Sequence, residues 1–417
     1  MRVRPPALIP LWLLLSTPLL QLAAQAGEAD EHKAPPDTTP GHGLLNLGVN
    51  GVGISFGNSA RWTGLRLNFR DRGVQRVTGI NLTFWKAATD ANRHAVIKGL
   101  AVGIVGPEGG RLSGIAVGIG GVLAHELMAG INLGGLGLVS DGRMSGVNIG
   151  GLGVVSDGPM SGINLGGLGV VSDGRMSGVN IGGLGVVADG GLRGITLGGL
   201  GAVSDGKMEG IAIGGLGAVA DGGMTGIAVG GLGAVSDGPI TGLGVGGLGV
   251  VSDGGINGAG FGGLAVVADG GVRGVAVGGL AVVADGGVTG LAAGGLAVVS
   301  GGEIRGVALS LGEINSWHRD GGEDARRARV EGLAATLYRI RTREALGLMV
   351  AGWIKTTDAR GVTVAAYNQI RGEQRGLAIG VFNSARELHG VQIGLLNRAQ
   401  NNRPPFRWVP VVNAHLR

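Results

Sequence analysis

The sequence predicts an all-β protein, an elongated β-solenoid of about 16-residue coils. Glycines recur at a constant spacing of sixteen from Gly114 to Gly306, and Asp-Gly pairs keep the same spacing from Asp141 to Asp285. A fixed period of this kind is typical of repeat architectures in which neighbouring units bury a shared core. A helix is disfavoured, because glycine costs about 1 kcal/mol relative to alanine at each helical position and the chain holds 92 glycines.

Each repeat is predicted to contain two strands and two tight corners. In the unit that begins at Gly146, apolar residues alternate locally, which is typical of strands. One corner is expected at Gly150-Gly151, since glycine accepts a positive φ without penalty, and the other at the turn pair Asp157-Gly158. Stacked coils of this form would be lined inside by Val147, Ile149, Leu152, Val154 and Met160.

The alternative is an antiparallel meander that closes into a transmembrane β-barrel. About ten uncharged residues between turns would suit a tilted membrane strand. Two features favour the solenoid instead. Aromatic residues make up only 3% of the chain, too few for two interfacial girdles, and the strands lack a sustained alternation of apolar and polar positions.

The N-terminus reads as an export signal. Residues 1–26 have early arginines, an apolar stretch at 8–22 and a cleavage pattern at Ala24-Gln25-Ala26, as a signal peptide requires. Residues 27–42 are polar and Pro-rich, which predicts a flexible leader. We therefore expect an exported protein of the bacterial periplasm, outer membrane or cell surface. The chain has no cysteine, so its stability must come from repeat packing.

The remaining chain divides by the regularity of its repeats. Residues 43–113 are predicted to be degenerate N-terminal repeats with a cap, and residues 114–310 form the regular block. A charged insertion follows at 311–331, and residues 332–417 form degenerate C-terminal repeats with a second cap. Polar caps are expected because the end of a solenoid is an open sheet edge.

The C-terminal units "GLAIGVFNSARELHGVQIGLLNRAQNN" resemble a family of exported bacterial surface-repeat proteins. That family is built from G-Φ-x-Φ-G-Φ-x-N units, where Φ is apolar, and has no established activity. The central units are more distantly similar to the β-roll heads of trimeric adhesins. The resemblance implies a surface or outer-membrane role and names no ligand. Within these units, the spacing of Asn368, Asn383 and Asn397 predicts a ladder of hydrogen-bonded side chains.

Catalytic motifs are weak. Residues 53–57 match G-x-S-x-G without the helix that a nucleophile elbow needs. Residues 244–249 match G-x-G-x-x-G within an ordinary repeat, and His125-Glu126 lacks the second histidine of a zinc motif. We therefore expect no catalytic residue, no cofactor and no enzymatic activity. The expected function is a structural or adhesive surface element, with an outer-membrane pore or solute-binding barrel as the alternative.

The turn aspartates are the one candidate site. We expect each to cap its own turn through an Asx hydrogen bond, or the stacked column to bind calcium or another cation. The column comprises Asp141, Asp157, Asp173, Asp189, Asp205, Asp221, Asp237, Asp253, Asp269 and Asp285.

Charge also limits the class of partner. Residues 130–306 contain ten Asp and two Glu against five Arg and one Lys, which is a net charge of −6. Because the whole chain has a net charge of +5, the residues outside this range together carry +11. An acidic centre disfavours nucleic acid, which needs a continuous basic stripe. We expect an envelope or surface partner, and membrane association is compatible with the sequence. The sequence leaves the oligomeric state open.

Overall fold

The computed structural model describes residues 43–88, 91–316 and 328–415. These residues are all-β without an α-helix and form a β-solenoid of about 20 turns with coils of about 16 residues, which confirms the predicted fold class. The predicted signal peptide and leader, residues 1–26 and 27–42, lie outside the described residues, as does most of the insertion at 311–331. No helix of the described chain is long and apolar enough to cross a bilayer.

Seven strands build the N-terminal coils: β1 Gly43–Val49, β2 Val52–Gly57, β3 Arg61–Asn68, β4 Arg76–Thr83, β5 Val96–Gly103, β6 Glu108–Gly118 and β7 Gly121–Gly134. The C-terminal coils contain β31 Arg329–Thr336, β32 Arg339–Arg341, β33 Glu344–Thr356, β34 Asp358–Ile370, β35 Glu373–Ile379, β36 Phe382–Ala385, β37 Glu387–Ala399 and β38 Trp408–His415.

Short and long strands alternate through the regular block. The short strands are β8 Gly137–Ser140, β10 Gly153–Ser156, β12 Gly169–Ser172, β14 Gly185–Ala188, β16 Gly201–Ser204, β18 Gly217–Ala220, β20 Gly233–Ser236, β22 Gly249–Ser252, β24 Ala265–Ala268, β26 Ala281–Ala284, β28 Ala297–Ser300 and β30 Glu313–Asn315. The long strands are β9 Arg143–Gly150, β11 Met160–Gly166, β13 Met176–Gly182, β15 Leu192–Gly198, β17 Met208–Gly214, β19 Met224–Gly230, β21 Ile240–Gly246, β23 Ile256–Gly262, β25 Val272–Gly278, β27 Val288–Gly294 and β29 Ile304–Ser310.

Successive coils pair in parallel and in register. Strand β11 lies against β13 with Met160 opposite Met176 and Asn164 opposite Asn180. The same offset of sixteen holds from coil to coil between Gly114 and Gly306. An antiparallel meander would pair successive units in the opposite direction, so that alternative is wrong. Antiparallel pairs occur at the two ends, where β1 covers β2 and β38 covers β37.

The corner predicted at Gly150-Gly151 is confirmed, but the physical reason differs. Strand β9 ends at Gly150 and β10 begins at Gly153. A Cβ atom on Gly150 would lie 2.0 Å from the carbonyl oxygen of Gly153, and one on Gly151 would lie 1.8 Å from that of Gly135. Glycine is needed here because two backbones meet too closely for any side chain. The positive φ lies instead at Gly146, at 101°.

Only part of the predicted interior is correct. Val154 and Met160 are buried, with 0% and 1% of their surface exposed. Ile149 and Leu152 point outward with 37% and 52% exposed, and Val147 is half-buried on the same outer side. The prediction that these three line the core is therefore wrong.

Asparagine occupies the interior position that the prediction gave to the aliphatic residues. Asn148 is fully buried, and Asn132, Asn148, Asn164 and Asn180 form a chain in which each Nδ2 donates to the next Oδ1 at 2.8 Å. A buried amide is stable when every coil supplies a partner in register. The backbones approach too closely at the glycine corner to leave room inside for a branched side chain beside it. The branched side chains of Val147 and Ile149 therefore face outward.

The second asparagine ladder, predicted in the C-terminal coils, is confirmed. Asn368 donates to Asn383 and Asn383 donates to Asn397, each at 2.7 Å. All three side chains are fully buried. The structure therefore uses the same device in the regular block and in the degenerate repeats.

A buried ion pair lies near the N-terminal end of the interior. Arg66 and Asp71 are both fully buried and form a salt bridge, and Thr83 Oγ1 donates to Asp71 Oδ2 at 2.8 Å. Burial acts to raise the pKa of Asp71, but the Arg66 guanidinium and the hydrogen bonds from Asn68, Arg66 and Thr83 outweigh it and lower the pKa. The core thus changes from apolar to fully paired polar residues towards its N-terminal end.

The corner geometry predicts opposite effects for two alanine substitutions in one coil. A Cβ on Gly215 would lie 1.9 Å from the Gly199 carbonyl oxygen, whereas one on Gly217 would lie 3.6 Å from its nearest neighbour. Gly215→Ala should lower the free energy of unfolding by about 1–3 kcal/mol through overpacking. Gly217→Ala should be neutral or stabilising by about 0.4–1 kcal/mol. Equal urea midpoints for the two variants would contradict the close approach at the corner.

Candidate functional site

The ten turn aspartates form an exposed edge along the regular block, here called the acidic edge. The residues are those from Asp141 to Asp285 at intervals of sixteen, and all are exposed. The parallel register stacks each turn on the next, at about 4.8 Å per coil. The carboxylates therefore lie in single file on one side of the rod.

Serine hydroxyls, and not the aspartates, bond to the turn backbone. Ser156 Oγ donates to the Gly142 carbonyl at 2.8 Å, and Ser172 Oγ donates to that of Gly158 at 2.9 Å. The backbone adds a bond from Asp157 N to the Ser140 carbonyl at 2.9 Å. Within the described chain, the carboxylates from Asp157 to Asp285 accept no hydrogen bond from their turns, so the Asx prediction is wrong.

Partial desolvation and neighbouring charge shift the protonation of four aspartates of the acidic edge. The pKa is raised above its usual value for Asp157, Asp189, Asp221 and Asp269. Partial desolvation is the largest cause, and the negative charges of the aspartates in the two adjacent coils add to it. At these four positions the carboxylate is therefore protonated more readily than a free aspartate side chain.

The acidic edge does not form a compact metal centre. Across residues 43–88, 91–316 and 328–415, the structure brings no three His, Cys, Asp or Glu side chains into a group that could hold a metal ion. An open file of carboxylates can still attract a diffuse layer of counterions. Specific calcium binding at these ten positions stays a prediction.

The catalytic motif matches occupy ordinary strand positions. Ser55 is fully buried on β2, and its hydroxyl donates to Asn46 Oδ1 at 2.7 Å. No histidine is among its hydrogen-bond partners within the described residues. Residues 244–249 run from β21 across a glycine corner into β22.

His125 takes part in a cluster of side chains that no sequence motif indicated. Its Nδ1 lies 2.8 Å from Asp141 Oδ2, and its Nε2 lies 3.2 Å from Glu108 Oε1. The His125 side chain is 9% exposed and that of Glu108 is 5% exposed. Asp141 lies sixteen residues after His125, so the repeat spacing alone could have placed these two together. The cluster joins three coils and offers no nucleophile to the imidazole.

Outward-facing apolar residues form a continuous feature of the surface, here called the long face. It consists of two columns on the longer strands, represented by Ile163 and Leu165 in β11. The register carries both columns without interruption from Ile54 and Phe56 to Val391 and Ile393.

Neither column of the long face contains a polar or charged residue. Typical members such as Ile163, Ile195 and Ile227 are 40–42% exposed. At about 4.8 Å per coil and about 10 Å of width, an apolar strip over about 20 coils covers roughly 1,000 Å². That area exceeds the largest apolar patch of about 300–600 Å² on a typical monomer. Exposed apolar patches of this size are typical of interaction sites.

No family model, curated protein or solved structure matches the chain.

The acidic edge predicts that stability increases as the pH falls. Because the raised pKa values let the folded chain bind more protons than the unfolded chain just above the usual value of 3.8, the free energy of unfolding rises as the pH falls through that range. Replacing alternate aspartates (157, 189, 221, 253 and 285) by asparagine should raise the melting temperature at pH 7 in low salt. The gain should shrink as the pH approaches 4.

Thermal melts of parent and variant between pH 4 and pH 7 check this, with and without calcium. Calcium should raise the melting temperature of the parent more than that of the variant, beyond the effect of sodium chloride at equal ionic strength. Melting temperatures that coincide at every pH would contradict a repulsive carboxylate column.

Proposed function

We propose that the chain is a non-enzymatic, exported repeat protein that serves as a structural or adhesive element of the bacterial envelope. The observation that carries this proposal is the long face. It extends over the length of the rod and would need a partner along that length. Extended repeat surfaces suit the binding of extended partners, because each coil adds the same contact again.

The chemistry of the remaining surface also supports a binding role. Apart from the buried Arg66–Asp71 pair and the His125 cluster, the ion pairs of the described residues are exposed or half-buried, as in Arg193–Glu209. The turn aspartates lie in a single column. Enzyme sites require a concave pocket with convergent polar groups. The groove described below is lined almost wholly by apolar residues.

The N-terminal sequence supports export. Residues 1–26 have the charged start, apolar stretch and small-residue cleavage pattern of a secretory leader. A chain without cysteine needs no oxidising compartment to fold, and its stability comes from the coil-to-coil hydrogen bonds. The resemblance of the C-terminal units to exported surface-repeat proteins is consistent with the same destination.

Cell display tests the proposal. Bacteria that express the full chain should expose it to added protease, and deletion of residues 1–26 should abolish that exposure. Displaying cells should attach to alkyl-coated glass roughly threefold or more above empty-vector cells, since an apolar strip favours apolar contact.

A matched pair of variants assigns the attachment to the long face. Val179, Ile195 and Ile211 are each changed to threonine, which keeps β propensity and removes apolar character. The control changes Val155, Val171 and Val187 to threonine as well. These residues lie in an outward column of the short strands. Attachment should fall only in the first variant. Equal attachment of both would contradict the role of the long face, and a chain retained in the cytoplasm would contradict the envelope function.

A further inference from the structure

The C-terminal coils replace small residues by aromatic ones at one outward position. Trp353, Tyr367 and Phe382 lie opposite one another in successive coils, in a column that holds glycine or alanine in the regular block. Ring centroids are 5.9 Å apart for Trp353 and Tyr367, 5.0 Å for Tyr367 and Phe382, and 6.1 Å for Phe382 and Trp408. These four rings are called the aromatic row.

Cationic side chains accompany the aromatic row. Arg341 and Lys355 are adjacent in the next outward column, which ends at Arg398. The Lys355 Nζ lies 6.0 Å from the ring centroid of Trp353, and the Arg398 guanidinium lies 5.0 Å from that of Trp408. Gln369 and Ser384 lie between Lys355 and Arg398 in this column, so the positive charge flanks the two ends of the aromatic row.

This positive charge is not neutralised locally. Within the described residues, Arg341, Lys355 and Arg398 form no ion pair with a carboxylate, and only Arg339 nearby is paired, with Glu313 at 2.8 Å. Partial burial lowers the pKa of Lys355, and the charges of Arg371, Arg341 and Arg339 lower it further. Residues 332–415 hold 11 Lys and Arg against 4 Asp and Glu. The patch therefore attracts anions.

An apolar groove lies beside the aromatic row. It has a volume of about 480 Å³ and is lined by residues that include Val364, Ile379, Val381, Ile393, Leu395 and Val411. Val381 directly precedes Phe382 in the chain, and Leu395 is 74% exposed. A groove of this size with almost purely aliphatic walls suits hydrocarbon, since it offers few polar groups to orient a sugar or a peptide.

Ring geometry distinguishes between anionic partners. Tyr367 and Phe382 stack at an interplanar angle of 10°, so their faces cover each other and are closed to a nucleobase, which binds by stacking on an open ring face. Tyr367 is 36% exposed and Trp408 is 49% exposed, whereas the Trp353 Nε1 is buried. Tryptophan and tyrosine in that setting, with arginine and lysine beside them, are typical of side chains that sit at the headgroup level of a bilayer. A two-fold contact between two copies of the chain through this patch is disfavoured, because like charges would meet.

We propose that the C-terminal coils dock onto an anionic lipid bilayer. The aromatic row lies at the headgroup level, Arg341, Lys355 and Arg398 bind lipid phosphates, and the groove contacts acyl chains. This inference deepens the proposed envelope function and rests on it. It states which end of the rod meets the membrane.

Vesicle flotation with the full chain, purified from expressing cells, tests the proposal. Vesicles contain either phosphatidylcholine alone or phosphatidylcholine with 30% phosphatidylglycerol. The parent chain should float with the anionic vesicles at least tenfold better than with the neutral ones. Binding should fall when sodium chloride is raised from 50 to 500 mM, because salt screens surface charge.

Two charge-matched variants locate the site. R341Q/K355Q/R398Q removes three cations beside the aromatic row, and R360Q/R375Q/R386Q removes three exposed cations from other columns of the same coils. The first variant should lose anionic-vesicle binding by tenfold or more, and the control should lose less than threefold. Both share residues 1–42 with the parent, so the difference reports on the patch. Circular dichroism checks that each variant keeps its β structure.

Three results would overturn the inference. One is equal loss of binding in the two variants, and another is binding to neutral and anionic vesicles alike. The third is binding to a soluble acidic polysaccharide such as polygalacturonate without binding to vesicles, which would assign the patch to a glycan. Any of these with intact surface exposure of the chain would leave the envelope function standing and remove the lipid contact alone.

Discussion

The parallel register between coils determines almost every property of this molecule. Because backbone hydrogen bonds hold Met160 against Met176 and Asn164 against Asn180, each residue of the regular block stacks on its counterpart sixteen positions away. A single residue choice is thereby multiplied into a column. The asparagine ladder is repeated over four coils from Asn132 to Asn180. Neighbouring carboxylates likewise add to the raised pKa of four aspartates of the acidic edge.

A thin cross-section is the second consequence. The backbones of Gly150 and Gly153 approach so closely that no Cβ fits between them, which limits the interior to slim columns. Large buried side chains such as Met160 and Ile240 lie at the start of the long strands, away from this corner, and the interior position beside the corner holds residues such as Asn148 and Ala212. The aliphatic residues between these positions point outward and build the long face. The same constraint applies in the C-terminal coils, where the large aromatic side chains of the aromatic row lie on the outer side of the strands. Fold and proposed function thus have one physical origin.

The spacing of glycine and Asp-Gly was sufficient to predict the coil length, the corners and the solenoid. The spacing did not indicate which of the alternating side chains face the interior. Val147 and Ile149 are more apolar than Asn148, so local hydrophobicity predicts the wrong face of the strand as buried. The close approach at Gly150 and Gly151 depends on tertiary stacking that no local pattern records. The contact of His125 with Asp141 was available from the repeat spacing. The aromatic row is harder to find, because coils there shorten to 14 or 15 residues.

Distances between spin labels test the register most directly. The chain contains no cysteine, so pairs of labelled cysteines can be introduced at the equivalent outward positions 145, 225 and 289. Of these, 145 is half-buried and the other two are exposed. Pairs 145/225 and 145/289 are five and nine coils apart in the register. At about 4.8 Å per coil their separations should be about 24 and about 43 Å. Separations that fail to grow in proportion to the number of coils would contradict the stacked parallel solenoid.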